Sequence, residues 1–204
     1  NITAFDRYGT VAEGYNGTVT LTVDNGTISP TSMRLAEGSL TAGITLTKSG
    51  TTTITAKDSA GTQTGTATTY VTRGSASALF IQPATATLTS DDSLAFITFA
   101  SDNSGNTWTV TPAFTENDPI GTMTANTYYP GKVGTWKIIA TYNSLSATAT
   151  VNVTYGSVTA LFIQPASATL TTDDSLIFSA FTRDNDGNTQ TVTATFTEDD
   201  PIGT

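Results

Sequence analysis

The chain has 204 residues, a net charge of −9 at pH 7, and neither cysteine nor histidine. These 204 residues therefore hold no disulfide, thiolate nucleophile, histidine base or zinc site of the usual ligand types. The 17 acidic and 8 basic residues, without a basic cluster, disfavour a nucleic-acid-binding surface. No run of about 18 apolar residues is present to cross a membrane. Threonine contributes 47 residues, and because it is β-branched it favours the solvated face of strands, which predicts an all-β chain.

Apolar and polar residues alternate with a period of two along much of the chain. The pattern is clear at residues 18–23, 136–141 and 147–154, where one alternate set is apolar. It predicts antiparallel strands with one buried and one solvated face. Asn16-Gly17 and Asn25-Gly26 predict two-residue hairpin turns, since both residue types tolerate positive φ.

An internal repeat organises the second half of the chain. Residues 75–122 and 157–204 are identical at 34 of 48 positions without a gap, at an offset of 82 residues. Strand signals about every ten residues within this period predict sandwich domains of roughly 100 residues or fewer. We expect one domain at 1–73 that lacks its first strand, a complete one at 74–155 and the first half of another at 156–204. The interrupted ends indicate a window on a longer chain of repeats.

Proline and glycine mark the start of each repeat. Pro83 and Pro165 interrupt the first strand, and because proline cannot donate to a sheet ladder, that strand should be an edge strand that kinks or switches sheets. Gly74 and Gly156 lie in junctions of only a few residues, too short for a flexible linker. The sequence thus predicts a semi-rigid rod with limited freedom at the junctions.

Several segments resemble bacterial Ig-like (Big) domains. In the first unit these are residues 2–9, 14–19 and 52–56, and in the second they are residues 82–88 and 130–136. The resemblance implies an all-β chain of tandem immunoglobulin-like sandwiches in an elongated rod. Modules of this family build stalks of adhesins, S-layer proteins, surface filaments and accessory regions of secreted enzymes.

The resemblance implies an extracellular, cell-surface structural role and no enzymatic activity of this segment. We expect partners to be neighbouring repeats of the same chain or further copies that associate through strand edges. One alternative is an adhesin module that contacts glycan or a surface protein. Another is the accessory region of a secreted enzyme.

One repeated loop resembles a calcium-binding loop, although no cofactor is otherwise expected. It contains Asp102 and Asn103 in one repeat, and Asp184, Asn185 and Asp186 in the next. Alternating Asp and Asn oxygens followed by glycine suit a hard cation, but the distant glutamate of an EF-hand is missing. The alternative is a polar turn, for which Asp, Asn and Gly are favoured by their backbone preferences.

Four Asn-X-Ser/Thr sequons predict glycosylation sites at Asn1, Asn16, Asn25 and Asn152. Such sequons also arise by chance in a threonine-rich chain.

Two tryptophans and a pair of carboxylates complete the candidates. Trp108 is replaced by Gln190 in the next repeat, which favours an exposed binding role over a core role, whereas Trp136 lies in the apolar phase of its strand.

Glu116 and Asp118 could form an acid/base pair, but a charged loop that keeps sandwich edges apart is the favoured interpretation.

Overall fold

The computed structural model describes residues 1–199, and these form 21 β-strands, which confirms the predicted all-β class. No helix in this part of the chain is long and apolar enough to span a membrane. Two compact units can be distinguished. The first contains residues 1–78 together with 100–108, and the second contains residues 79–99 together with those from 109 onward.

The first repeat contributes eight short strands to the first unit. They are β1 (Ile2–Thr3), β2 (Thr18–Val23), β3 (Ile28–Ser29), β4 (Ser32–Arg34), β5 (Ser39–Leu40), β6 (Thr45–Leu46), β7 (Gly50–Asp58) and β8 (Thr64–Val71). Strands β4, β2, β7 and β8 form a four-stranded antiparallel sheet, while β1 pairs with β5 and β3 with β6. Val19 and Leu21, predicted to face inward, are buried beside Ile28 and Leu35.

The second repeat contains ten strands. They are β9 (Ala78–Gln82), β10 (Thr85–Thr89), β11 (Leu94–Ala95), β12 (Ile97–Ser101), β13 (Thr107–Thr109), β14 (Ala113–Glu116), β15 (Thr122–Thr124), β16 (Thr127–Tyr129), β17 (Gly134–Tyr142) and β18 (Leu145–Thr154). One sheet has the order β10-β18-β17-β14, and the facing strands pair as β11-β16-β15 and β13-β12-β9. This division of strands between two sheets is that of an immunoglobulin-like sandwich.

The core of the second repeat follows the alternation read from the sequence. Ile138 and Ala140 on β17 are fully buried, as are Ala149 and Val151 on β18. From the facing side, larger residues, notably Phe96, fill the space between the sheets. Each fully buried large apolar side chain in this cluster contributes about 1.5–3 kcal/mol to the stability of the domain.

The predicted sheet switch at the first proline is confirmed. Strand β9 belongs to the sheet with β12, whereas β10, directly after Pro83, pairs in parallel with β18 in the other sheet. Thr85 lies opposite Thr150 and Thr89 opposite Thr154. One segment thus provides an edge strand to each sheet.

The third repeat shows its first strands in the described residues. Strands β19 (Val158–Gln164), β20 (Ser179–Asp184) and β21 (Thr189–Val192) form an antiparallel sheet in that order. Leu161 is 64% exposed, whereas its counterpart Leu79 is 8% exposed. In the second repeat the facing sheet consists of β10, β18, β17 and β14. The counterparts of β10 and β14, residues 167–171 and 195–198, form no strand, and β17 and β18 have no counterpart within residues 156–199.

Both predicted hairpin turns are wrong. Asn16-Gly17 lies in the segment that leads into β2, and Asn25-Gly26 connects β2 to β3, which pairs with β6 instead of β2. Gly26 does have the positive φ expected of it, at 81°. The positive φ expected of this turn is therefore present. The strands on either side of it belong to different sheets and so do not pair with each other.

Candidate junction site

The repeated Asp-Asn loop lies where one repeat meets the next. In the first unit it connects β12 to β13, and in the second unit it connects β20 to β21. A glycine completes each loop, with a φ of 80° at Gly105 and 85° at Gly187. These positive values favour glycine because it has no Cβ to collide with the backbone.

Asp102 is the centre of the loop in the first unit and is only 6% exposed. Its Oδ1 accepts hydrogen bonds from the backbone N–H groups of Ser104 and Asn106, at 2.9 and 3.0 Å. Its Oδ2 accepts the N–H of Gly74, in the linker, at 2.9 Å. The same carboxylate therefore shapes the loop and holds the linker.

Asn106 connects this loop to the preceding repeat. Its Nδ2 donates to the carbonyl of Thr47 at 3.0 Å, and its Oδ1 accepts the N–H of Ser49 at 2.9 Å. Nδ2 also donates to Asp102 Oδ2 at 2.9 Å, which fixes the orientation of the amide. We call this arrangement of Asp, Asn and linker glycine the clasp.

The second unit contains the same clasp, 82 residues later. Asp184 Oδ2 accepts the N–H of the linker residue Gly156 at 3.3 Å and the Nδ2 of Asn188 at 2.9 Å. Asn188 in turn donates to the carbonyl of Gly131 at 2.9 Å and accepts the N–H of Val133 at 3.1 Å. The pair Gly131 and Val133 precedes β17 as Thr47 and Ser49 precede β7.

The second clasp has additional contacts from the second repeat. Ser90 Oγ donates to Asp184 Oδ2 at 2.9 Å, and the N–H of Ser157 donates to Asp91 Oδ2 at 2.6 Å. A Cβ on Gly156 would lie 2.5 Å from Asp91 Oδ1 and 2.7 Å from Ser90 Oγ. The linker therefore passes too close to these side chains for a larger residue.

These hydrogen bonds favour the ionised carboxylates. The amide of Asn106, with the backbone N–H groups around it, lowers the pKa of Asp102 to about 2 against the opposing effect of burial. For Asp184, burial alone would raise the pKa, but the hydrogen bonds from Asn188, Ser90 and Gly156 outweigh it, and the pKa is lowered. Both loops thus hold an anion surrounded by N–H donors, and Asp184 accepts the hydroxyl of Ser90 in addition.

The residues predicted to bind calcium fall into a buried group and an exposed group. Asp102 and Asp184 are buried and accept donors on both oxygens, whereas Asn103, Asn185 and Asp186 lie on the exposed outer part of the loops. Within residues 1–199, no three His, Cys, Asp or Glu side chains come together as a group able to hold a metal ion. The calcium site stays a prediction.

A third copy of the loop, in the first repeat, was missed from the sequence. Asp6 Oδ1 accepts the N–H groups of Tyr8 and Thr10 at 2.8 and 3.0 Å, and Gly9 has a φ of 82°. The spacing Asp-x-x-Gly-polar could have revealed it. Thr10 occupies the place of Asn106 and Asn188, so this copy lacks the amide of the clasp.

A second contact accompanies each clasp, and its chemistry changes from one junction to the next. The guanidinium of Arg73 lies 4.5 Å from the ring centroid of Trp108, which leaves that ring partly covered. In the next repeat Tyr155 stands in place of Arg73, and its hydroxyl donates to the carbonyl of Thr189 at 3.1 Å. We call this variable contact the brace. A binding role of Trp108 stays a prediction. In the structure its ring makes the cation–π contact with Arg73.

The sequons differ in accessibility. Asn1, Asn16 and Asn152 are exposed, while Asn25 is half-buried, with Nδ2 donating to the carbonyl of Ser49 at 3.3 Å. Glycosylation at all four stays a prediction.

The interpretation of Glu116 and Asp118 as a charged loop that keeps sandwich edges apart is wrong for Asp118, which is only 4% exposed. Asp118 Oδ2 accepts the hydroxyl of the fully buried Tyr128 at 2.9 Å and the N–H groups of Gly131 and Lys132 at 2.9 and 3.1 Å. Burial would raise the pKa of Asp118, but these hydrogen bonds outweigh it and lower the pKa. Its carboxylate stabilises the turn that leads into β17. The counterpart Asp200 lies outside the described residues.

Trp136 packs against the core of the second repeat, as its position in the strand predicted, and its Nε1 donates to the carbonyl of Lys132 at 2.6 Å.

Comparison with known proteins yields structural neighbours only. No protein-family model matches the chain, and no curated protein matches it. Among solved structures, it is similar to invasin, a bacterial integrin-binding protein, with a TM-score of 0.40 and 18% identity over 92% of this chain and 43% of that one. The chain therefore spans less than half of the invasin structure.

Two further neighbours are a surface layer protein and intimin. Domains 4–9 of the surface layer protein SbsC match with a TM-score of 0.34 and 16% identity, over 94% of this chain and 32% of that one. The D0-D1 domain of intimin matches with a TM-score of 0.26 and 17% identity, over 68% of this chain and 81% of that one.

Proposed function

We propose that the chain is a structural segment of an extracellular surface protein, in which sandwich domains are joined end to end as a spacer. The observation that carries this proposal is the clasp, which recurs at two successive junctions with the 82-residue period. A linker of a few residues, held by a buried carboxylate and a docked asparagine, suits a spacer better than a flexible tether.

The composition supports the same role. A threonine-rich, charge-poor surface on antiparallel sheets gives stable domains with few reactive groups. The side chains at the junctions form hydrogen bonds between elements of the fold. Asp118, a candidate for acid/base catalysis, stabilises the turn that leads into β17.

The spacer role can be tested by small-angle X-ray scattering on the full chain. We expect an elongated particle, and we expect Asn106→Asp with Asn188→Asp to broaden the distance distribution because both docked amides are lost. A compact particle, or one whose distance distribution is unchanged by both substitutions, would contradict the spacer proposal.

The surface location calls for a separate experiment on the producing cells. Antibodies raised against this chain should label intact cells by immunogold electron microscopy, and external protease should remove the label. Labelling confined to the cell interior would contradict the location. Specific binding of the chain to a glycan array would favour the adhesin alternative.

A further inference from the structure

The clasp contacts the preceding repeat through main-chain atoms. Asn106 binds the carbonyl of Thr47 and the N–H of Ser49, and Asn188 binds the carbonyl of Gly131 and the N–H of Val133. An asparagine amide offers a donor and an acceptor side by side. It therefore matches a carbonyl and an N–H two residues apart, whatever side chains those residues carry.

The two docking turns have different sequences. The first reads Thr47-Lys48-Ser49-Gly50 and the second Gly131-Lys132-Val133-Gly134, so that only Lys and the last Gly are shared. Ser49 Oγ adds a longer bond of 3.3 Å to Asn106 Oδ1. Val133 has no hydroxyl, yet the second clasp forms the same two main-chain bonds.

The shared glycine gives the turn its shape. Gly50 has a φ of 116° and Gly134 a φ of 152°, both in the region that glycine alone adopts without strain. A Cβ on Gly134 would also lie 2.9 Å from the Trp136 ring. The main chain that the clasp binds is thus positioned by this glycine, while the residues at 47, 49, 131 and 133 are free to differ.

The loop side of the contact is positioned in advance. Asp102 and Asp184 each accept a hydrogen bond from the asparagine Nδ2, so the amide oxygen faces the N–H of the turn. The flipped orientation of the amide would place its oxygen against the carboxylate, so that two acceptors would face each other.

We propose that the clasp is a docking site for the turn x-Lys-x-Gly that precedes the penultimate strand of another repeat, and that it recognises the main chain of that turn. The partner is any sandwich repeat that carries this turn, however divergent its sequence. Repeats of this protein can therefore be exchanged or added without redesign of the junction. This inference is independent of where the protein is located, and a chain found inside the cell would leave it intact.

Hydrogen exchange of the Ser49 and Val133 amides in the full chain, followed by NMR, tests the proposal. Asn106→Asp places a second carboxylate against Asp102 and the Thr47 carbonyl. Because this repulsion displaces the side chain from the turn, we expect protection at Ser49 to fall by about tenfold or more while Val133 is unchanged. Asn188→Asp should show the reverse. Thr47→Ala with Ser49→Val removes the variable side chains, and we expect protection at position 49 to stay within about threefold.

Loss of protection in the Thr47→Ala, Ser49→Val chain would overturn recognition by the main chain. So would full protection in Asn106→Asp. Asn106→Thr, which copies the residue at position 10, serves as a second variant with no added charge and should lower protection at Ser49 as well. The Val151 amide, in the core of the second repeat, reports whether each variant has kept its fold.

Discussion

The two junctions share one clasp but differ in what surrounds it. At the first, a Cβ on Gly74 would meet Asp102 Cβ at 3.4 Å, an ordinary contact. At the second, Gly156 is pressed against Asp91 and Ser90, and Ser90 adds a hydrogen bond to the clasp carboxylate. The loop of the following repeat therefore makes the connection, and the preceding repeat determines how tightly the linker is held.

The additional contacts of the second junction come from the segment between β10 and β11. Ser90 donates to Asp184, and Asp91 accepts the N–H of Ser157. Both junctions have the Asp-Asn amide pair, and the second also has these contacts.

The largest difference between the junctions is expected on removal of the clasp carboxylate. Asp184→Ala leaves Ser90 Oγ, the Gly156 N–H and the Asn188 amide without their shared acceptor. Because hydrogen bonds to an ionised group contribute about 1.5–3 kcal/mol and buried donors without partners add a penalty, we expect about 3 kcal/mol less stability at this junction. Hydrogen exchange at Val133, whose N–H is bonded to Asn188 and not to Asp184, gives the free energy of opening.

Asp102→Ala should open the first junction by a smaller amount, since no serine contributes there. Asp186→Ala, at an exposed position in the loop of Asp184, is the matched control for Asp184→Ala and should change little. Equal effects of Asp102→Ala and Asp184→Ala would contradict the proposed role of Ser90.

The second prediction concerns the linker glycines. Gly156→Ala places a methyl group within 2.7 Å of Asp91 and Ser90 atoms, and overpacking of this kind costs about 1–3 kcal/mol. Gly74→Ala meets only an ordinary contact and should be neutral to within about 0.5 kcal/mol. Thermal unfolding of both variants provides the measurement, and the comparison fails if Gly74→Ala is the more damaging.

The third prediction uses acid to release the first clasp. The pKa of Asp102 is lowered to about 2 in the folded chain, below its unfolded value, so its contribution to stability is present above about pH 4 and is lost as the pH falls towards 2. The Gly74 amide shift should therefore titrate near pH 2. Asp102→Asn is the control: a titration at Gly74 that persists in this variant would rule out Asp102 as its source.

Much of the fold could be predicted because burial follows alternation. Ile138 and Val151 lie inward as the period of two requires, and Pro83 marked the change of sheet because its nitrogen has no hydrogen to donate. The hairpins at Asn16-Gly17 and Asn25-Gly26 failed for a different reason. Turn residues report local backbone freedom, but the choice of partner strand depends on distant apolar contacts that no short motif contains.

The candidate site was predicted in part. The repeated loop identified Asp102 and Asp184, since an acid at the same position of both repeats indicates that the fold requires it there. The contacts of this loop with the preceding repeat could not be deduced. Asn106 and Asn188 bind main-chain atoms there, and the residues that supply these atoms differ between the two junctions. The burial of Asp118 could not be predicted for a related reason. Its carboxylate accepts backbone N–H groups of Gly131 and Lys132, and such donors leave no charge pattern in the sequence.

The smallest effect is expected at the brace, where each junction has its own chemistry. A cation–π contact at a partly exposed site contributes about 0.5–1 kcal/mol, so a double-mutant cycle of Arg73→Gln and Trp108→Gln should give a coupling energy in that range. Tyr155→Phe removes one neutral hydrogen bond and should cost about 0.5–1.5 kcal/mol at the second junction alone. Hydrogen exchange at Ser49 follows the first junction in all four members of the cycle, and hydrogen exchange at Gly156 follows the second. If Tyr155→Phe altered the Arg73–Trp108 coupling, the braces would not be independent, and the stiffness of each junction could not be set by its own linker residue.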